Sequence, residues 1–394
     1  MTDLRSRFRE ADRLPAPDLW EDIVTREPMS PVRPSPWPRV LVAAAALTVA
    51  ALGLVVLVRA FFPGPQPGDQ PSPTPTGAFR PEPKANGLIA FVRTDPESTI
   101  PHESDFPLTD LHTVQPEGGG ARRLVRAQGF LFRTTVAWSP DGSRIAFPWP
   151  SGIRVTNTDG SGIEDLTTCQ RPECHADAGG DSHPSWSPDG TRVAFSRFNG
   201  SEEELWVVGT DGGDPRPLNQ EFAGIIHVAW SPRGDEIAVL GFAGSGPEVG
   251  PDRIYLVDVE TGQIARTLDT PPSLEFLETI SWSPDGEFLA FDAVGEGGTL
   301  DVAGVYVMRA DGTNGRPLTV CPTALGFPGG CTDMRPAWSP DGTQIAFTRA
   351  LPERGSDGFM GDIFVIDADG GEARRVTSGP GLDCCPAWQP LPGS

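Results

Sequence analysis

Short apolar runs separated by polar turns fill the chain from about residue 86 to its end. Val136-Ala137-Trp138 and Ile145-Ala146-Phe147 flank Ser139-Pro140-Asp141-Gly142, and this arrangement recurs. Proline presets φ for a tight turn, and Asp-Gly tolerates the left-handed backbone after it. Each unit therefore reads as two short strands joined in a hairpin. Copies centre on Trp138, Trp186, Trp230, Trp282 and Trp338, and a truncated one surrounds Trp388. Successive tryptophans are 48, 44, 52, 56 and 50 residues apart. Self-similarity at that period predicts stacked supersecondary units. A second apolar run with its own turn follows each copy, as in Ile254-Tyr255-Leu256-Val257 before Thr261-Gly262. A short strand comes next, ending at Leu166, Leu218, Leu268, Leu318 or Val376. The unit is thus four strands: A with the tryptophan, B with Ile-Ala-Phe or its equivalent, then C and D. Four-stranded sheets repeated radially are propeller blades.

The two ends of this region complement each other. Leu88–Val92, Leu111–Val114 and Arg122–Val125 read as B, C and D strands without an A strand, and the last copy supplies only an A strand. Pairing them closes the ring and leaves no open sheet edge. The predicted fold class is all-β, a six-bladed β-propeller of four-stranded blades, preceded by one transmembrane helix. The pattern P-x-W-S-P-D-G-x-x-I-A-F, carried over roughly residues 86–390, resembles the TolB-like six-bladed propeller repeat family. The resemblance implies a propeller scaffold and, at the family level, binding of a partner.

The first 85 residues follow a different pattern. Residues 1–39 are polar and mixed in charge, with Leu4, Phe8 and Ala11 at helical spacing, and are read as a short cytoplasmic segment. Residues 40–58 are 19 uncharged, mostly apolar residues between Arg39 and Arg59. As a helix they span about 28 Å, near the thickness of a bilayer core. Arg26, Arg33 and Arg39 on one side, against Arg59 on the other, place the N-terminus in the cytoplasm and the propeller outside. Residues 59–85 are a Pro-rich linker, which reads as an extended stalk, and residues 86–394 are the propeller.

Charge narrows the partner class. The formal net charge is −22, and residues 86–394 hold 21 basic and 44 acidic groups. Such a domain repels phosphate backbones, so no nucleic-acid partner is expected. Thirty arginines against one lysine fit a GC-rich bacterial genome. No Gly-x-Ser-x-Gly elbow, phosphate loop, Gly-x-Gly-x-x-Gly or His-Glu-x-x-His is present. The expectation is therefore no catalytic residues, no cofactor and no metal.

The six cysteines lie between a D strand and the next A-strand tryptophan. Cys169 with Cys174 and Cys321 with Cys331 are disulfide candidates; Cys384 and Cys385 are adjacent, and a vicinal bond, free thiols or another pairing are all open. A zinc site on Cys169, Cys174, His175 and His183 has no standard spacing. The B–C and D–A connections, among them 292–303 and 319–335, are the longer and more varied ones, so a site is expected on their face. Just ahead of the A strands, His183, His227, Asp333, Arg335 and Asp383 are candidate ligand-binding residues at the mouth of a central channel. The preferred function is non-catalytic binding of a protein, peptide or glycan outside the cell membrane. A transmembrane signalling regulator of anti-sigma-like layout, which would add a cytoplasmic partner of residues 1–39, and a propeller hydrolase or lyase are the alternatives.

Overall fold

The computed structural model describes residues 84–94, 109–126, 135–150, 152–168, 180–200, 202–219, 222–243, 253–269, 274–275, 278–295, 299–319, 332–350 and 361–392. The apolar stretch 40–58, the linker up to residue 83, and Cys169, Cys174, Cys321 and Cys331 lie outside them. Among the described residues, no helix is long and apolar enough to cross a membrane.

These residues form six antiparallel sheets. In the first, β1 (Ala85–Thr94), β2 (Thr109–Val114) and β3 (Arg122–Val125) are completed by the C-terminal strand β25 (Asp383–Leu391), in the order β25-β1-β2-β3. The second blade holds β4 (Ala137–Trp138), β5 (Arg144–Trp149), β6 (Gly152–Asn157) and β7 (Glu164–Asp165). The third holds β8 (Asp181–Trp186), β9 (Arg192–Phe198), β10 (Glu203–Gly209) and β11 (Arg216–Asn219). The fourth holds β12 (Phe222–Trp230), β13 (Glu236–Ala243), β14 (Arg253–Asp258) and β15 (Ile264–Leu268). In the fifth, β16 (Leu274–Glu275) and β17 (Ile280–Trp282) both pair with β18 (Phe288–Gly295), followed by β19 (Thr299–Arg309) and β20 (Arg316–Pro317). The sixth holds β21 (Thr332–Trp338), β22 (Gln344–Ala350), β23 (Asp362–Asp367) and β24 (Arg374–Arg375). The predicted architecture and ring closure are therefore present. One expectation is corrected: 292–303 is not a long loop, because β18 and β19 continue as a ladder through Asp292↔Val305 to Gly295↔Thr299.

Each Ser-Pro-Asp-Gly turn is locked by its own side chains. Asp141 Oδ1 accepts from Ser139 Oγ at 2.5 Å and from Ser143 N at 3.0 Å, and Asp189, Asp285 and Asp341 repeat the pattern. Gly142 has φ +69°, and a Cβ there would stand 2.1 Å from the Pro390 carbonyl oxygen.

The core consists of six apolar clusters, one at each junction between neighbouring blades. Val92, Leu111, Trp138 and Phe147 join the first blade to the second, and Ile89, Phe91 and Trp388 meet Ala346, Ile363 and Val365 at the closing junction. The A-strand tryptophans tie these junctions. The indole N–H groups of Trp138, Trp186, Trp282 and Trp388 donate at 3.1 Å to Ala387, Ala137, Ala229 and Ala337, the residues just before the tryptophan of the preceding blade. Where that residue is Ser185 or Ser281, its hydroxyl instead accepts the backbone N–H of Trp230 or Trp338.

Candidate functional site

The A strands wall a central cavity of about 810 Å³. One end is ringed by the prolines of the turns, including Pro140, Pro188, Pro232, Pro284 and Pro340. The other end is the mouth, on the side where the D–A connections enter the A strands. One residue per blade marks it, three positions before each tryptophan: Thr135, His183, His227, Thr279, Arg335 and Cys385. All but His183 line the cavity, and His183 packs edge-on against the His227 ring with centroids 5.4 Å apart.

Local backbone explains how side chains reach this ring. In the first, third and sixth blades the A strand reads Asp-x-X-Pro-x-Trp, where X is Cys385, His183 or Arg335. The A–B register shifts by one residue there, between Ser182 and Ser185, between Met334 and Ala337, and between Ala90 and Val92 on the facing strand. The residue X takes a left-handed conformation, with φ 54° at His183, 58° at Arg335 and 63° at Cys385. A bulge of this kind re-aims a side chain out of the ladder.

The aspartate that begins each of these segments anchors it. Asp383, Asp181 and Asp333 accept paired bonds of 2.5–2.7 Å from Arg93, Arg197 and Arg349 on the B strand. All three carboxylates are fully buried. Thus His183, His227 and Arg335 come together at the mouth, while Asp333 and Asp383 sit in ion pairs alongside it.

Three further groups complete the mouth. Arg335 Nη1 lies 2.9 Å from Cys385 Sγ and donates there, Nη2 reaches Glu278 Oε2 at 3.4 Å, and its backbone N–H donates to Asp292 Oδ2. Asp292 Oδ1 also accepts from the backbone and hydroxyl of Thr279. The Sγ atoms of Cys384 and Cys385 are 2.23 Å apart, within bonding reach. Burial holds the His183 imidazole down at about 4, with the Arg335 charge adding to the effect. Burial, then His183 and Arg335, put His227 well below the ordinary imidazole range. Both rings are neutral at pH 7.

Four buried polar atoms of this ring have no hydrogen-bond partner: Thr135 Oγ1, His183 Nδ1, His227 Nε2 and Arg335 Nε. Only seven such atoms occur among the described residues, so more than half gather at one level of the channel. Buried polar groups are ordinarily paired, and a concentration of unpaired ones marks a place where a ligand or solvent supplies the partner. Thr135, Thr279, Cys385, Glu278 and Asp292 were not singled out from sequence as ligand-binding residues, Cys385 being named only as a disulfide candidate. The first three share the offset from tryptophan that His183, His227 and Arg335 have, and that constant offset is the signal that finds them.

No protein-family model matches the chain. The Tol-Pal system protein TolB of Anaeromyxobacter dehalogenans is 45% identical over 51 residues, 13% of this chain and 10% of that protein. TolB of Gluconobacter oxydans is 34% identical over 113 residues, 28% of this chain and 22% of that protein. The uncharacterized peptidase YuxL of Bacillus subtilis is 40% identical over 72 residues, 18% of this chain and 9% of that protein. The chain thus spans about a tenth to a fifth of the curated relatives it matches. Among solved structures, TolB from Acinetobacter baumannii superposes with a TM-score of 0.59 at 19% identity, covering 77% of this chain and 67% of that one. The chain has the six-bladed β-propeller fold seen in TolB. Putative TolB from Agrobacterium tumefaciens gives a TM-score of 0.53 at 17% identity, with 76% and 92% of the two chains covered. In this propeller the repeated tryptophan motif is scaffold, and what varies from blade to blade is the residue three places ahead of it.

Proposed function

We propose that this is a membrane-anchored, non-catalytic propeller that works outside the cytoplasm and binds a protein, peptide or glycan at the channel mouth on its B–C/D–A face. The observation that carries the reading is the ring of six equivalent positions with four unpartnered buried polar atoms. An open cavity of about 810 Å³ behind that ring has the size of an ordinary ligand site. The apolar stretch 40–58 and the arginine excess ahead of it support an anchor with the propeller outside. An oxidising compartment suits a vicinal disulfide at Cys384–Cys385 and bridges within Cys169/Cys174 and Cys321/Cys331. The relatives named as Tol-Pal system components favour a protein ligand over a small metabolite.

The test is photocrosslinking in living cells, with a crosslinking amino acid placed at Glu278 on the mouth or at Asp285 on the opposite turn. A discrete adduct from position 278 and none from position 285 is expected. Equal labelling from both faces, or none from the mouth, refutes the assignment.

A further inference from the structure

We infer that the mouth recognises a polypeptide C-terminus, holding its terminal carboxylate on the ring of donors and its last, apolar side chain just beneath. This rests on the reading of the mouth as a binding site and names the ligand chemistry.

The unpaired groups facing the cavity are donors. Ile280 N donates to His227 Nδ1 at 3.5 Å, so the neutral ring carries its proton on Nε2, which has no partner. Arg335 Nε–H and the Thr135 hydroxyl are unpartnered in the same ring. The nearby acceptors are already engaged: Asp292 takes bonds from Glu278 N, Thr279 and Arg335 N, and Glu278 takes one from Arg335. A ligand that satisfies this set brings acceptors.

The ring also holds one buried cation, Arg335, within an acidic domain. Arg335 is 4% exposed, and Glu278 Oε2, 3.4 Å from its Nη2, belongs to a side chain that is 35% exposed. The Arg335 charge acts on both imidazoles, which are themselves neutral. A buried guanidinium with a spare N–H is a strong carboxylate partner.

The next level decides which carboxylate. One residue deeper the cavity is lined by Val136, Pro184, Val228, Ile280, Pro336 and Pro386, apolar in every blade. One strand residue is about 3.3 Å, so the polar ring and the apolar collar are as close as the carboxylate and side chain of a single amino acid. A sugar acid would bring hydroxyls onto that collar, where none would find a partner, at a cost of about 1–3 kcal/mol each. Capture of a chain terminus by converging donors needs no extended groove.

The experiment titrates the full-length protein with N-acetyl-leucine, N-acetyl-leucinamide and galacturonate. Tryptophan fluorescence and the ¹⁵N resonance of Arg335 Nε are the readouts. N-acetyl-leucine is expected to bind about tenfold or more tighter than either other probe, and to shift the Arg335 resonance. Arg335→Gln should lose at least about tenfold, and Thr135→Val, which keeps the charge and fits a β-strand neighbourhood, about threefold or more. Equal affinity for the amide, no saturable binding of N-acetyl-leucine, or unchanged affinity in Thr135→Val and a folded Arg335→Gln overturns the inference. Preference for galacturonate also overturns it, while leaving the mouth as a binding site; loss of the mouth-specific crosslink removes both.

Discussion

Replacing Asp383 by Asn tests how the ring is held shut. Asp383 lies on β25, and its carboxylate accepts two bonds, 2.5 and 2.7 Å, from Arg93 on β1, so the pair bridges residues 290 positions apart. Asn keeps the shape and one acceptor but leaves the guanidinium without its counter-charge. At an effective dielectric of about 20, charges about 4 Å apart attract by roughly 4 kcal/mol. Breaking a buried pair costs about 3–5 kcal/mol. The Arg93 side chain is 15% exposed and its guanidinium stays 5.1 Å from the Phe91 ring, so water and the ring recover part of that loss. The lower end applies, about 3 kcal/mol. Adding Arg93→Met should restore most of it, because removing both charges of a buried pair is often near neutral. The assay is urea unfolding followed by tryptophan fluorescence, comparing midpoints at constant slope. The pairs Asp181–Arg197 and Asp333–Arg349 have nearly the same geometry and burial, so their Asn variants should agree with Asp383→Asn to within about 1 kcal/mol. A cost under about 1 kcal/mol, the value of a surface pair, would refute the reasoning, as would a double variant no more stable than the single one.

Acid should destabilise the fold through two histidines. His112 and His183 are held at about 4, chiefly by burial, against 6.5 unfolded. Their contribution is complete above pH 6.5 and is lost as pH falls towards 4, by up to about 3 kcal/mol each, read as a falling urea midpoint. Glu203 runs the other way: burial raises it to about 7 from 4.5, so its contribution is complete below 4.5 and is lost as pH rises through 7. Glu203→Gln, which retains an acceptor for the Ile225 N–H, should therefore stabilise at pH 8 by up to about 3 kcal/mol and change little at pH 4.5. Gly142→Ala should cost several times the ~1 kcal/mol of Gly190→Ala, because only the first drives a Cβ to 2.1 Å from a backbone oxygen; the second meets Pro140 Cγ at 3.3 Å. Equal midpoints for the two variants would contradict this.

The blades and their closure were legible because turn chemistry and period-two strands repeat with little variation. Leu88–Val92 and Trp388 identify the composite first blade from sequence, since one end lacks an A strand and the other has nothing else. The ion pairs were not legible, for a physical reason. Counting back from Trp338↔Ile345, an unbroken ladder would set Met334 against Arg349; the bulge shifts the register by one and brings Asp333 there instead. A one-residue slip exchanges the faces of a strand, and period-two counting does not register it. For that reason Asp333 and Asp383 read as open carboxylates although they are engaged with arginines. The ring residues carried a fainter signal. Histidine and arginine stood out by chemistry, whereas Thr135 and Thr279 are unremarkable except by their place in the repeat.

Lys84 has a further bearing on how this molecule is presented. Its backbone N–H donates to the Pro340 carbonyl, its ammonium donates to the Pro140 carbonyl, and Pro392 lies against the same rim of the cavity. Both ends of the propeller therefore leave beside the proline collar. The mouth is five residues away along each A strand, about 16 Å. The residues at which the chain enters and leaves the propeller and the mouth of the channel are therefore at opposite poles.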